Sequence, residues 1–217
     1  MKGCLRAIGC LTVFVVIACV AAWFTRDWWL PFIGLRNGRE VAAAKWETPS
    51  AKGSGRADDA LIQLESPRGA AFANVSPGDL VAYVVASVGK AMPKSVDSIQ
   101  ASVVGDRIYV RFRLNTDELA KERSGGFEKL GKYEHIVMGG PLHVIRPGLS
   151  ELQVKDLSVE GLRMPHMLVR TVLDQFGGSR PEGVASDGIA IATPKYIGDV
   201  RIANGKITVY RTAGSRK

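Results

Sequence analysis

The chain has 217 residues, 46% of them hydrophobic and 23% charged, with 29 basic residues against 21 acidic ones. A mean hydropathy of +0.05 with this balance excludes an intrinsically disordered chain and a multi-span membrane protein, and 24 Gly and 10 Pro without a repeat exclude a collagen-like one. The length allows one full domain with an appendage.

The first element in chain order is an apolar run. From Ala7 to Phe24, 18 positions carry no charge, which as helix is about 27 Å, near the thickness of a bilayer core. Lys2 and Arg6 precede it, while Arg26 and Asp27 cancel beyond it. The positive-inside rule therefore predicts a cytoplasmic N-terminus and an extracytoplasmic remainder, a single-pass protein of the cell membrane. Trp23, Trp28 and Trp29 cluster where the run ends, as interface-anchoring rings do. Val16-Ile17-Ala18-Cys19 also reads as a bacterial lipobox, so cleavage with lipidation at Cys19, or simple secretion, is the alternative. All three cysteines, Cys4, Cys10 and Cys19, lie in or beside the run. The part beyond it has no disulfide framework, cysteine-based zinc site or thiol nucleophile. That part holds 27 of the basic residues against all 21 acids, a net +6, which suits anionic lipid or polymer at an envelope better than nucleic acid.

Residues 1–30 are thus expected to be a cytoplasmic tip and anchor, 31–59 a stalk, 60–212 an extracytoplasmic domain and 213–217 a tail. Ser50 to Gly55 has linker composition, and Ala60 to Glu65 reads as the first strand. Ser76-Pro77-Gly78-Asp79 is a helix start with capping box, followed by Leu80, Val81, Val84, Val85 and Val88 at helical spacing. Ser98 to Val104 and Arg107 to Leu114 alternate on either side of Gly105-Asp106, a hairpin turn. Asp117 to Lys132 reads as a charged surface loop. Strands are predicted over Tyr133–Met138, Leu142–Arg146 and Glu151–Val159, the last with a bulge at Lys155-Asp156 where the apolar phase slips. Pro165 opens a second helix that carries Leu168, Val169, Val172, Leu173 and Phe176, ended by Gly177-Gly178. Strands at 188–193, 196–203 and 206–211 follow, the last two joined by Asn204-Gly205. Short connections and repeated hairpins imply an α+β fold, a curved antiparallel sheet with two main helices packed on it.

No nucleophile elbow, Walker loop or dinucleotide fingerprint occurs. His135 and His143 fall on neighbouring predicted strands without acidic partners, His166 falls in the first turn of the second helix, and no metal site, cofactor or catalytic set is expected. A hydrolase would require polar residues that converge from scattered positions. One surface pattern stands out. In Arg107-Ile108-Tyr109-Val110-Arg111-Phe112-Arg113-Leu114 the alternation puts Arg107, Tyr109, Arg111 and Arg113 on one face, opposite Ile108, Val110, Phe112 and Leu114. Such a row could hold anionic headgroups by bidentate contacts, or be neutralised by cross-strand acids while serving as a polar outer face.

The segment Val154-Lys155-Asp156-Leu157-Ser158-Val159-Glu160-Gly161-Leu162-Arg163-Met164-Pro165, running into Leu168 to Phe176, resembles the strand-to-helix step of YpmS-like membrane-anchored bacterial proteins. It is also similar to that of LmeA-like proteins of the tubular lipid-binding type. The resemblance implies a long curved sheet enclosing an apolar groove for acyl chains, and no catalytic residues. The groove candidates in this chain are Ile108, Val110, Phe112, Leu142, Val144, Leu157, Val159, Leu168, Val172 and Phe176, with Arg107, Arg111 and Arg113 for the headgroup. A filled core would draw on the same apolar positions. The expected function is non-catalytic binding of a lipid or other amphipathic envelope ligand; the alternative is an interaction or scaffold domain that docks an envelope protein through strand edges or the basic face.

Overall fold

The computed structural model describes residues 40–66, 68–88, 94–118, 132–176 and 180–212. The expected span with Cys19, Trp23, Trp28 and Trp29, residues 119–131 of the Asp117–Lys132 loop, Gly177-Gly178 and the tail lie outside the described residues. Among those described, no helix is long and apolar enough to cross a membrane. The chain divides into Met1–Ala43 and Ala44–Lys217, and the elements below belong to the second unit.

Helix α1 spans Ala51–Glu65, and Ser50 caps it by accepting a hydrogen bond from the Gly53 amide at 3.0 Å. Gly53, Ala57, Leu61 and Leu64 form its buried stripe. This overturns two sequence readings, because the stretch 50–55 is a helix start rather than a linker and Ala60–Glu65 is helix rather than strand. Gly53 and Gly55 lower the local helix propensity and disguise the element. A Cβ at Gly53 would meet the Asp79 carboxylate, so a side chain there would require Asp79, and its pair with Arg56, to shift.

Strand β1 (Phe72–Val75) leads into α2 (Pro77–Val88), which begins where the cap signal placed it. Ser76 Oγ accepts from the Asp79 amide at 3.2 Å, and Glu47 Oε2 accepts from the Gly78 amide at 3.0 Å, so two end amides are satisfied. The Asp79 carboxylate turns away from its own helix and takes Arg56 of α1 at 2.9 and 2.5 Å, which ties the two helices together. That pair holds the Arg56 guanidinium above its ordinary pKa, chiefly through the hydrogen bonds.

Among the described residues β2 (Val96–Val104), β3 (Arg107–Asn115), β4 (Tyr133–Gly140), β5 (Leu142–Arg146), β6 (Leu149–Gln153), β7 (Asp156–Val159), β8 (Leu162–Arg163), β9 (Gly188–Ala192), β10 (Ile197–Ala203) and β11 (Lys206–Arg211) follow β1, with α3 (His166–Phe176) between β8 and β9. Every pairing is antiparallel. The Gly105-Asp106 and Asn204-Gly205 turns form as read, with φ of 62° at Gly105, 52° at Asn204 and 74° at Gly205.

The fold is mostly antiparallel sheet with a few helices, an α+β arrangement. Among the described residues the strands form three sheets rather than one, ordered β1-β11-β10, β2-β3-β4-β7-β8 and β5-β6-β9. The expected bulge at Lys155-Asp156 is in fact a change of sheet. β6 ends at Gln153 beside β5 and β9, and β7 begins at Asp156 beside β4. Val154, fully buried, is the pivot. Two hydrophobic clusters result. One joins Ala57, Leu61 and Leu64 of α1 to Val75, Ile108, Leu152, Ile207 and Val209, and the other joins Val154 and Leu157 to Val169 and Leu173 of α3.

Candidate functional site

Of the ten expected groove positions, those whose side chains are described do not share one space. Ile108 is core in the first cluster, with Leu142 and Val144 packed against it, whereas Leu157 is core in the second. Helices α1 and α3 each close over a sheet face, so these side chains fill a core rather than line a cavity. Leu168 is exposed, and Val110, Phe112 and Val159 are half-buried. Register aligns Val110 with Met138, and Phe112 with Ile136 and then Val159. The side chains of Val172 and Phe176 lie outside the described ones.

The arginine row divides into two ends. At the first, Arg107 Nη1 donates to Asp156 Oδ2 at 2.7 Å and the Tyr109 hydroxyl donates to the same oxygen at 2.8 Å, while Arg163 pairs with the other oxygen. Tyr109, expected on an outer face, is only 2% exposed. The correction has a simple cause: its register partner is Gly139, and any Cβ there would strike the Tyr109 ring, so the bare backbone makes room for the phenol. Burial, and then the hydrogen bond to Asp156, push the Tyr109 phenol up to about 12. Burial works against the Arg107 charge, yet the contact with Asp156 leaves that guanidinium raised.

At the other end β2 carries a bulge. Asp97 pairs with Arg113 and Gln100 with Arg111, which leaves Ser98 and Ile99 without ladder partners opposite Phe112. Ser98 takes a φ of 53°, a left-handed conformation uncommon for a residue with a side chain. Bulges and strained backbone of this kind concentrate at functional sites. Arg113 grips Asp97 side-on, Nε to Oδ1 at 2.9 Å and Nη2 to Oδ2 at 3.0 Å. The Arg113 hydrogen bond, and next one from Ser98, hold the Asp97 carboxyl below the usual carboxylate range. Arg111 Nε donates instead to the neutral Gln100 Oε1 at 2.6 Å, and its guanidinium lies 4.3 Å over the Trp46 ring. Residue 47 bridges to Ala101 on the outer side of β2, which brings Trp46 to this place.

Around the bulge opens a groove of about 790 Å³, within the range of small-molecule sites. Val85, Val96, Ile99, Phe112 and Ile136 supply apolar walls, while Arg111, Arg113, His135, Asp97 and Gln100 supply polar groups. Of the residues singled out in the sequence, Phe112, Arg111 and Arg113 come together here. Asp97, Val85 and Val96 were missed as site residues. Asp97, one residue before the first predicted strand of the hairpin, was the available signal, but the bulge that decides its partner was not readable.

A second polar cluster surrounds Asp187, whose buried carboxylate meets Gln153 Nε2 at 3.1 Å, Lys155 Nζ at 3.0 Å and His166 Nε2 at 3.2 Å. Burial opposes its charge, but the bonds from Gln153 and Lys155 prevail and its pKa is lowered. It fastens the start of α3 to the β9 loop. His135 and His143 sit on β4 and β5, which belong to different sheets. Among the described residues no group of three His, Cys, Asp or Glu is placed to hold a metal ion.

No family model matches the chain, and no curated protein or solved structure matches it either.

Proposed function

We propose that the chain is a single-pass, membrane-anchored extracytoplasmic protein whose folded unit binds an anionic amphipathic envelope ligand without catalysis. The observation that carries this reading is the groove at the β2 bulge, whose lining includes both apolar residues, Phe112, Val85 and Val96 among them, and the two arginines Arg111 and Arg113. Such a pairing matches a ligand with an acyl chain and an anionic head, since burial of the chain supplies free energy in proportion to apolar area while the arginines supply specificity. The uncharged run Ala7–Phe24 supports the anchor.

The test compares lipids extracted from the purified full chain with those from an Arg111→Gln/Arg113→Gln variant prepared in parallel. Mass spectrometry is expected to find one anionic lipid class enriched on the unaltered chain and lost from the variant. Identical lipid profiles would refute the reading.

A further inference from the structure

Resting on that reading of the groove, we propose that Asp97 is an internal counter-ion, displaced from Arg113 when the phosphate head of a single-chain amphiphile enters. Asp97 uses both carboxylate oxygens against Nε and Nη2 of Arg113, at 2.9 and 3.0 Å. Two phosphate oxygens reproduce that side-on fork, so the ligand head and the Asp97 carboxylate compete for one donor pair.

Exposure makes the exchange feasible. The Arg113 and Asp97 side chains are 41% and 46% exposed, so a released carboxylate turns into water and no charge is left buried and unpaired. Asp97 also sits at the edge of the ladder break. The next two residues, Ser98 and Ile99, have no partners on β3, and the carboxylate can swing aside without loss of further strand pairs. Asp156 is the contrast, because it is 13% exposed and grips Arg107, Tyr109 and Arg163 together.

The surrounding charges fix the preference. Arg113 lies across from His135, and Arg111 is two residues away on the same face. Glu160, another acid close to His135, accepts its backbone amide at 2.5 Å. With Asp97 in place the row is partly neutralised; with Asp97 displaced, it offers Arg111 and Arg113 to one anion. A zwitterionic head brings its own cation against these groups and gains nothing from the exchange.

The experiment is calorimetric titration of the full chain in phosphatidylcholine nanodiscs, with empty nanodiscs subtracted. The probes are dodecyl phosphate and dodecylphosphocholine, each below its micelle concentration, which share a chain and differ in the head. Asp97→Asn is expected to bind dodecyl phosphate roughly three- to fivefold more tightly than the unaltered chain, the scale of one exposed ion pair. Its affinity for dodecylphosphocholine stays unchanged, Asp97→Ser shows the same gain, and Arg113→Gln binds dodecyl phosphate more weakly. High salt shrinks the gain. An Asp97→Asn affinity equal to that of the unaltered chain, or an equal gain for both probes, would overturn the counter-ion while leaving groove binding intact. Binding of neither probe to any of these proteins would overturn both.

Discussion

The two ends of β3 present the same residue pattern on the same face and do different things with it. At one end Arg107, Tyr109 and Arg163 converge on a carboxylate that is nearly enclosed. At the other, Arg113 and its carboxylate stand open to water beside a ladder break and a groove. An alternating Arg strand is therefore neither a binding face nor a structural one in itself. What decides is whether the neighbouring strand closes over it, as β4 does with Gly139, or opens away from it, as β2 does at Ser98.

The sharpest way to break this contrast is to remove each acid in turn. Asp156→Ala leaves the Tyr109 hydroxyl and the Arg107 charge without their acceptor, and a loss of about 3–4 kcal/mol in urea unfolding is expected. Asp97→Ala, whose partner remains solvated, is expected to leave the unfolding midpoint unmoved. Next in size is Gly139→Ala, which puts a methyl group where the Tyr109 ring lies; about 2–3 kcal/mol is expected from the forced repacking.

The alkaline limb isolates Tyr109. Its phenol stands at about 12 against an ordinary 10.0, so below pH 10 both folded and unfolded chains are protonated and its contribution is complete. Between pH 10 and 12 only the unfolded chain ionises, protons are lost from the unfolded side alone, and stability falls as pH rises, by about 2–3 kcal/mol in all. Tyr109→Phe is expected to remove that part of the slope in denaturation series run above about pH 9. The smallest stability effect belongs to Arg113→Gln, for which thermal unfolding is expected to be unchanged while binding of an anionic amphiphile weakens.

Signals confined to a few adjacent residues were legible in the sequence. Ser76-Pro77 marks the start of α2, and Gly105-Asp106 and Asn204-Gly205 mark their hairpins, because caps and tight turns are determined by local backbone chemistry. Helix α1 was hidden by Gly53, which lowers the local helix propensity and lies close against Asp79. The phase slip at Lys155-Asp156 was visible, but its meaning, a passage from one sheet to another about Val154, depends on partners far along the chain. At the site, alternation alone names Arg111 and Arg113, while Phe112, on the opposite face in that alternation, is named as a groove candidate. That Asp97 faces Arg113, and that Tyr109 turns inward, follow from register and from a glycine on another strand, which no local pattern encodes.

The most direct test of the groove is where a bound chain lies. The full protein in phosphatidylcholine nanodiscs would be irradiated with an alkyl phosphate that carries a diazirine at its chain end, then digested and mapped by mass spectrometry. Labels are expected on the peptides that hold Val85, Val96 to Gln100 and Phe112, and excess dodecyl phosphate should compete them away. The contradicting result is label confined to the exposed corner of Leu162, Met167 and Leu168, which are 75%, 77% and 43% exposed, with none at the bulge.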